Sequence, residues 1–184
     1  SIGQRVAYLG RLRRRQPARA RQLLAAAWDA EPPADRAALL GTFSTALSTA
    51  DESLLERALD DRHRPVREVA LGLLAGLPTS GYGQRMAARA AACVDLAGRH
   101  RITIHPPTRC DRAMRRDGIV ARPPAGTGER TWWLEEILAR TPLATWPQPR
   151  EFLARQASPE WVNTLHRGLA RAAAAQRDQV GAPA

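Results

Sequence analysis

The chain has 184 residues, 44% of them hydrophobic, enough to bury a sizeable core in one domain, or in one with an appendage. Arg or Asp interrupts every apolar stretch before it reaches the roughly 20 residues that cross a bilayer, which excludes a membrane-spanning helix. The formal net charge of +10 ordinarily points to nucleic acid or an acidic partner, yet all 28 basic residues are arginine and alanine is abundant, a bias that GC-rich codons explain equally well.

Apolar residues recur at helical spacing through the first half. Ile2, Val6, Leu9 and Leu12 form one stripe, and Pro17 opens a second helix carrying Ala20, Leu23, Leu24, Ala27 and Trp28. After Glu31-Pro32-Pro33, a third helix is predicted with Leu39, Leu40, Phe43 and Leu47 on one side. Asp51 is placed to cap a short helix bearing Leu54, Leu55, Ala58 and Leu59. Pro65 sits in the first turn of the next helix, where its missing N–H is harmless, and that helix is predicted to run to Leu77, ended by Pro78. A further helix is expected over Tyr82–Ala97, with Met86, Ala90, Cys93 and Val94 inward and Arg85 and Arg89 elsewhere.

Beyond Gly98 the pattern changes. Ile102-Thr103-Ile104-His105 alternates as a strand does, and Ile119–Arg122 is predicted to pair with it as a small antiparallel ribbon. Helix returns with Trp132, Trp133, Leu134, Ile137 and Leu138, breaks at Thr141-Pro142, and a Trp146-Pro147-Gln148-Pro149 turn follows. Ser158-Pro159-Glu160 starts the last helix, with Trp161, Leu165, Leu169 and Ala172 on one face and fraying expected after Gln176. The expected organisation is therefore helical repeats over 1–98, a ribbon insertion over 99–127 and C-terminal helices over 128–184, all one body.

Pro17-Ala18-Arg19 and Pro65-Val66-Arg67 stand about 48 residues apart, a weak internal repeat. The segment from Asp61 to Ala70 resembles the HEAT-repeat signature, an Asp turn before a Val-Arg-x-x-Ala helix, with Asp61, Pro65 and Arg67 at the signature positions. That resemblance implies a mainly all-α chain, a HEAT-like α-solenoid of stacked antiparallel helix pairs, in which Asp61 caps a helix and Arg67 ties neighbouring repeats. Asp51–Glu56, Leu59–Ala70, Arg85–Arg89, Arg116–Ile119 and Pro142-Leu143 before Trp146 also resemble an uncharacterised bacterial family of unknown function. Its genes tend to lie beside genes for AAA-type ATPases, von Willebrand A-type domains and SWIM zinc fingers. This second resemblance implies an adaptor or scaffold in an ATPase-linked system, and assigns no reaction.

The sharpest surface candidate is the basic cluster Arg11, Arg13, Arg14, Arg15, Arg19 and Arg21 around the first helix-helix turn, dense enough for several phosphates or an acidic protein. A solvated arginine-rich turn is the competing reading, with some stems packed on neighbouring helices and paired with Asp35, Glu56 or Asp60. Arg109, Arg112, Arg115 and Arg116, beside Asp111 and Asp117, form a secondary cluster on the ribbon turn. Trp28, Trp133 and Trp161 fall on apolar faces and read as core.

His100, His105, Cys93 and Cys110 lack the paired spacing of a zinc site. Gly126–Thr131 lacks the G-x-x-x-x-G-K-[ST] frame of a phosphate loop, and nucleophile elbows and paired carboxylates in an apolar context are missing. Hence no catalytic residue, cofactor or metal is expected. No charged-then-apolar leader ends in a cleavage site, so the two cysteines are expected to remain thiols in the cytoplasm. The expected function is a protein-interaction module whose partner is another protein, an AAA-type ATPase by the resemblance. The alternative is a nucleic-acid-binding HEAT-like protein, glycosylase-like in chemistry, with Trp132 and Asp111 as the kind of residue it would need.

Overall fold

The computed structural model describes residues 1–98, 101–147 and 156–180, and their backbone is mainly helical. They divide into two compact units, Ser1–Ser80 and Gly81–Val180. The helix that follows Ser80 packs on the helix over Glu129–Arg140 and so belongs to the second unit.

The first unit contains α1 (Ile2–Arg15), α2 (Pro17–Ala27), α3 (Pro33–Gly41), α4 (Glu52–Leu59) and α5 (Arg64–Ala75). Gln4 accepts from the Ser1 amine at 3.0 Å in a capping box, and Arg13, Arg14 and Arg15 occupy the last turn of α1, where cations suit the helix dipole. Gln16 alone separates α1 from α2, Pro17 opens α2, and the two helices pack on each other as a hairpin. Helix α5 packs on both α3 and α4. The core holds Leu24, Trp28, Leu40, Phe43, Leu55, Leu59, Val66 and Leu74, all nearly inaccessible; each such aliphatic side chain stabilises by about 1.5–3 kcal/mol relative to exposure.

Three sequence expectations change here. Helix α3 stops at Gly41, a 3-10 turn follows over Thr42–Ser44, and Ala46 has φ 53°, so Leu47 is not on that helix. Asp51 does not cap α4 with its side chain; its carboxylate serves the buried ion pair described below. Helix α5 ends at Ala75, where Gly76 N–H turns back to the Leu73 and Leu74 carbonyls, two residues before the expected Leu77.

The signature residues also do local work. The buried Asp61 carboxylate accepts from His63 N–H at 2.8 Å and pairs with Arg36 of α3 at 2.8 Å, while Arg67 donates to the Asp61 carbonyl at 2.8 Å. The N-cap of α5 is His63, without a side-chain cap, so Asp61 closes the turn and does not cap the helix. Burial pushes the Asp61 carboxyl up, but its hydrogen bonds to His63 and the Arg36 charge outweigh burial and hold it below the usual range.

The second unit contains α6 (Gly81–Cys93), β1 (Val94–Asp95), β2 (Arg101–Ile104), α7 (Arg112–Arg116), α8 (Glu129–Arg140), β3 (Gln156–Ala157) and α9 (Pro159–Val180). Helix α6 ends at Cys93 because the chain turns extended, and Val94 and Asp95 pair antiparallel with Ile104 and Thr103. The strand predicted at Ile102–Ile104 is thus present, but its partner is β1 and not Ile119–Arg122. That segment forms no strand; helix α8 pins it instead, through Trp132 Nε1 on the Val120 carbonyl (2.8 Å), Trp133 Nε1 on the Ala121 carbonyl (2.9 Å) and Val120 N–H on Glu136 (3.3 Å). Strand β3 adds parallel to β2, Arg101 against Gln156 and Ile102 against Ala157.

Helices α8 and α9 pack along each other. Buried Gly168 makes this possible, since a Cβ there would lie 2.6 Å from Leu138 Cβ. The backbone of α9 stays helical to Val180, past the Gln176 where fraying is expected. Gln176 also clamps the chain after α8, accepting from Leu143 N–H (2.9 Å) and donating to the Thr141 carbonyl (3.1 Å). His100 and the Gln148-Pro149 end of the predicted turn lie outside the described residues.

Candidate functional site

The α1–α2 hairpin separates the predicted basic cluster into two kinds of arginine. Arg13 is fully buried, so it is part of the interior and not of any accessible surface. All five of its N–H donors are engaged: Nε with the Thr45 carbonyl (3.0 Å), Nη1 with the Pro17 carbonyl (3.3 Å) and Asp51 Oδ1 (2.9 Å), and Nη2 with the Ala46 carbonyl (2.7 Å) and Asp51 Oδ2 (2.8 Å). The Phe43 ring covers its guanidinium at 4.2 Å. Arg21 takes a second place on Asp51 Oδ1 at 2.9 Å, and Ser48 N–H donates to Oδ2 at 3.1 Å. Asp51 itself is inaccessible. Sequence reasoning missed this hub, although Arg13 follows Ile2, Val6 and Leu9 at spacings of four, three and four residues, the period of the buried stripe.

Arg11, Arg14, Arg15 and Arg19 are the other kind. They are exposed and form no hydrogen bond or ion pair among the described residues. On the same hairpin, residues of α1 and α2, with Leu39 of α3, line a groove of about 360 Å³. Leu9, Leu24 and Leu39 form its buried floor, and the half-exposed Tyr8 and Leu23 its rims. Arg5 closes one end by pairing with Glu31 and, at 3.6 Å, with Asp35.

The secondary cluster divides in the same way. Asp111 caps the short α7, accepting from Met114 N–H at 2.8 Å. Asp117, 1% exposed, receives Arg85 through Nε (3.0 Å) and Nη2 (2.8 Å), Arg89 at 2.6 Å and Arg116 at 3.6 Å. Arg109, Arg112 and Arg115 remain exposed, without such a partner among the described residues. Burial pushes the Asp117 carboxyl up, but the hydrogen bonds and charges of Arg85 and Arg89 exceed that effect and hold it below the usual carboxylate range. A depressed native pKa adds stability that is fully present above the unfolded value, about 3.9, and is lost as pH falls from there through the lower native value. The urea midpoint of the Gly81–Val180 unit is therefore expected to drop between about pH 5 and pH 3 more steeply than that of Asp117→Asn. Parallel pH profiles for the two proteins would refute the assignment.

A family model described as a family of unknown function (DUF5691) matches residues 1–184. The chain belongs to that family. No curated protein and no solved structure matches it.

In this DUF5691 chain, one feature overturns the expectation that paired carboxylates in an apolar context are missing. Glu135 and Glu136 are buried on α8 among Leu134, Ile137 and Leu138. Arg167 and Arg171 bind Glu135 at 2.8 and 3.1 Å, and Arg171 and Arg140 bind Glu136 at 2.7 and 2.8 Å. Burial works against the Arg171 cation, yet Glu136 and Glu135 outweigh it and raise its pKa. These ion pairs tie the two carboxylates of α8 to Arg167 and Arg171 of α9.

Trp132 and Asp111 each have a structural partner of their own, Trp132 on the Val120 carbonyl and beneath Arg171 (5.7 Å), Asp111 on the α7 cap. Trp28 and Trp133 are core residues, and Trp161 is only partly covered. Burial pushes the Cys93 thiol up to about 11 and also raises Cys110, which suppresses thiolate at neutral pH. Among the described residues no group of three or more His, Cys, Asp or Glu is placed to hold a metal, and no helix is long and apolar enough to cross a membrane.

Proposed function

We propose that this DUF5691 chain is a protein-interaction module, a HEAT-like stack of helix pairs that presents the cationic α1–α2 turn to an acidic surface of another protein. The observation that carries this reading is the set of four exposed arginines, Arg11, Arg14, Arg15 and Arg19, left without a partner among the described residues while their neighbours Arg13 and Arg21 are held by Asp51. Arg11 faces Arg14 and Arg15 at i+3 and i+4 on α1, like-charge pairs that each cost about 0.2–0.5 kcal/mol. An external acidic surface would offset that repulsion and give salt-sensitive association. What supports an ATPase-linked setting for such a module is the resemblance noted in the sequence.

The test is fluorescence anisotropy against labelled polyglutamate and against single- and double-stranded DNA, near physiological ionic strength of about 0.15 M. Polyglutamate binding is expected, weakened more than about tenfold, or 1.4 kcal/mol, when Arg11, Arg14, Arg15 and Arg19 are all changed to Ser, with helicity and melting unchanged. DNA held more tightly than polyglutamate, with a steep log-salt slope, would replace this reading by nucleic-acid binding. Undiminished polyglutamate binding by the quadruple variant would remove the cluster from any role.

A further inference from the structure

We propose that the groove between α1 and α2 seats the apolar side chains of an acidic amphipathic helix from a partner protein, whose carboxylates reach Arg11, Arg15 and Arg19. This rests on the reading of the cationic turn above and adds to it the kind of segment bound.

The groove supplies what an anchor needs. Its floor is aliphatic, Leu9, Leu24 and Leu39, and its rims are Tyr8 and Leu23, 53% and 44% exposed, two of the few large hydrophobic side chains left open to water. Its volume of about 360 Å³ exceeds twice the roughly 150 Å³ that holds a benzene, so more than one side chain fits.

Charge then identifies the occupant. Arg5 is consumed by Glu31 and Asp35 at one end, so the free cations lie toward the closed end of the hairpin. Arg11 and Arg15 follow Tyr8 by three and seven residues on α1, and Arg19 precedes Leu23 by four on α2. At 1.5 Å per residue these offsets are about 4.5, 10.5 and 6 Å along the groove. A docked helix has the same rise, so acids three to seven residues from its apolar anchors meet these guanidiniums, as in helix-in-groove recognition. A second copy of this chain, with its net charge of +10, is repelled from the same face. A phosphate backbone has nothing to place on an aliphatic floor.

The experiment is selection of a displayed library of random amphipathic helical peptides on the whole chain, followed by anisotropy of the enriched peptides. They are measured against wild type, Leu23→Asp and the triple variant Arg11→Ser, Arg15→Ser, Arg19→Ser. All four changes are at side chains open to solvent, and circular dichroism checks that each variant is folded. Enriched peptides are expected to carry apolar anchors with Asp or Glu three to seven residues on, and to bind both variants at least tenfold more weakly. Acidic peptides weakened only by the triple variant would overturn the groove and leave the cationic turn standing. Peptides weakened by neither variant, or no enrichment at all, would overturn both. A dimer in sedimentation that Leu23→Asp dissolves would make a second copy the occupant and overturn the proposal.

Discussion

Asp51→Ala is expected to destabilise the Ser1–Ser80 unit by about 3–5 kcal/mol, the loss typical of stripping one partner from a buried ion pair. Asp51 accepts from Arg13 twice, from Arg21 and from Ser48 N–H, and Arg13 has no route to water. Against a total stability of about 5–15 kcal/mol for a natural domain, this unit would be close to unfolded. Amide exchange across Ser1–Ser80 with urea denaturation reads the effect locally. The double variant Arg13→Met with Asp51→Ala is expected to recover part of the loss, because no unpaired charge then remains inside. It does not recover all of it, since the Pro17, Thr45 and Ala46 carbonyls lose their donor and Ala46 is held at φ 53°, a conformation costing about 1–2 kcal/mol for a residue with a Cβ. The neighbouring exposed Arg14→Ser is expected to change stability by less than about 0.5 kcal/mol. A double variant as unstable as the sum of its singles would show that packing, not charge, holds this site.

Gly168→Ala is expected to destabilise the Gly81–Val180 unit by about 1–3 kcal/mol, the usual range for overpacking, although alanine is better than glycine in a helix by about 1 kcal/mol. The added methyl would meet Leu138 Cβ at 2.6 Å, Leu138 Cδ1 at 3.1 Å and the Glu135 carbonyl at 3.3 Å. Two of these atoms belong to the backbone or its first branch and cannot rotate away, so α9 must move off α8. That shift would also lengthen the Arg167 and Arg171 pairs with Glu135 and Glu136. Gly72→Ala provides the control, because a Cβ there meets nothing within 4 Å on the exposed side of α5, and it is expected to stabilise by about 0.5–1 kcal/mol. Thermal melting of both variants checks the pair, and a Gly168→Ala protein that melts no lower than wild type would refute the close approach.

Much of the helical framework is legible without the structure. Pro17 and Pro65 mark helix starts because proline suits the first turn, and the stripes through Leu24, Leu55, Val66, Leu74 and Met86 are buried as their periodicity requires. The failures have specific causes. Phe43 is buried as expected, but in a 3-10 turn, since a short apolar run reads alike in both. Ile119–Arg122 alternates like a strand, yet the backbone groups of Val120 and Ala121 pair with indole and carboxylate groups of α8, and no local pattern announces a side chain arriving from elsewhere.

The candidate site divides along the same line. Local sequence is enough to locate a turn crowded with arginines, because helix boundaries and residue identity are short-range properties. Spacing puts Arg13 on the apolar stripe of α1, but whether an arginine can stay buried there is a long-range matter. Arg13 and Arg15 are alike in type and two residues apart, yet one is inside on Asp51 and the other outside. Asp51 lies 38 residues away from Arg13, Asp117 lies 32 from Arg85 and Arg171 lies 35 from Glu136, separations that no helical or strand period spans. The sequence alone determined where the helices begin and which faces are apolar, through dihedral preference and periodicity. Only the tertiary structure decided which charges are consumed internally and which remain for a partner, because a buried ion requires its counter-ion at a few ångströms, and only folding brings the two together.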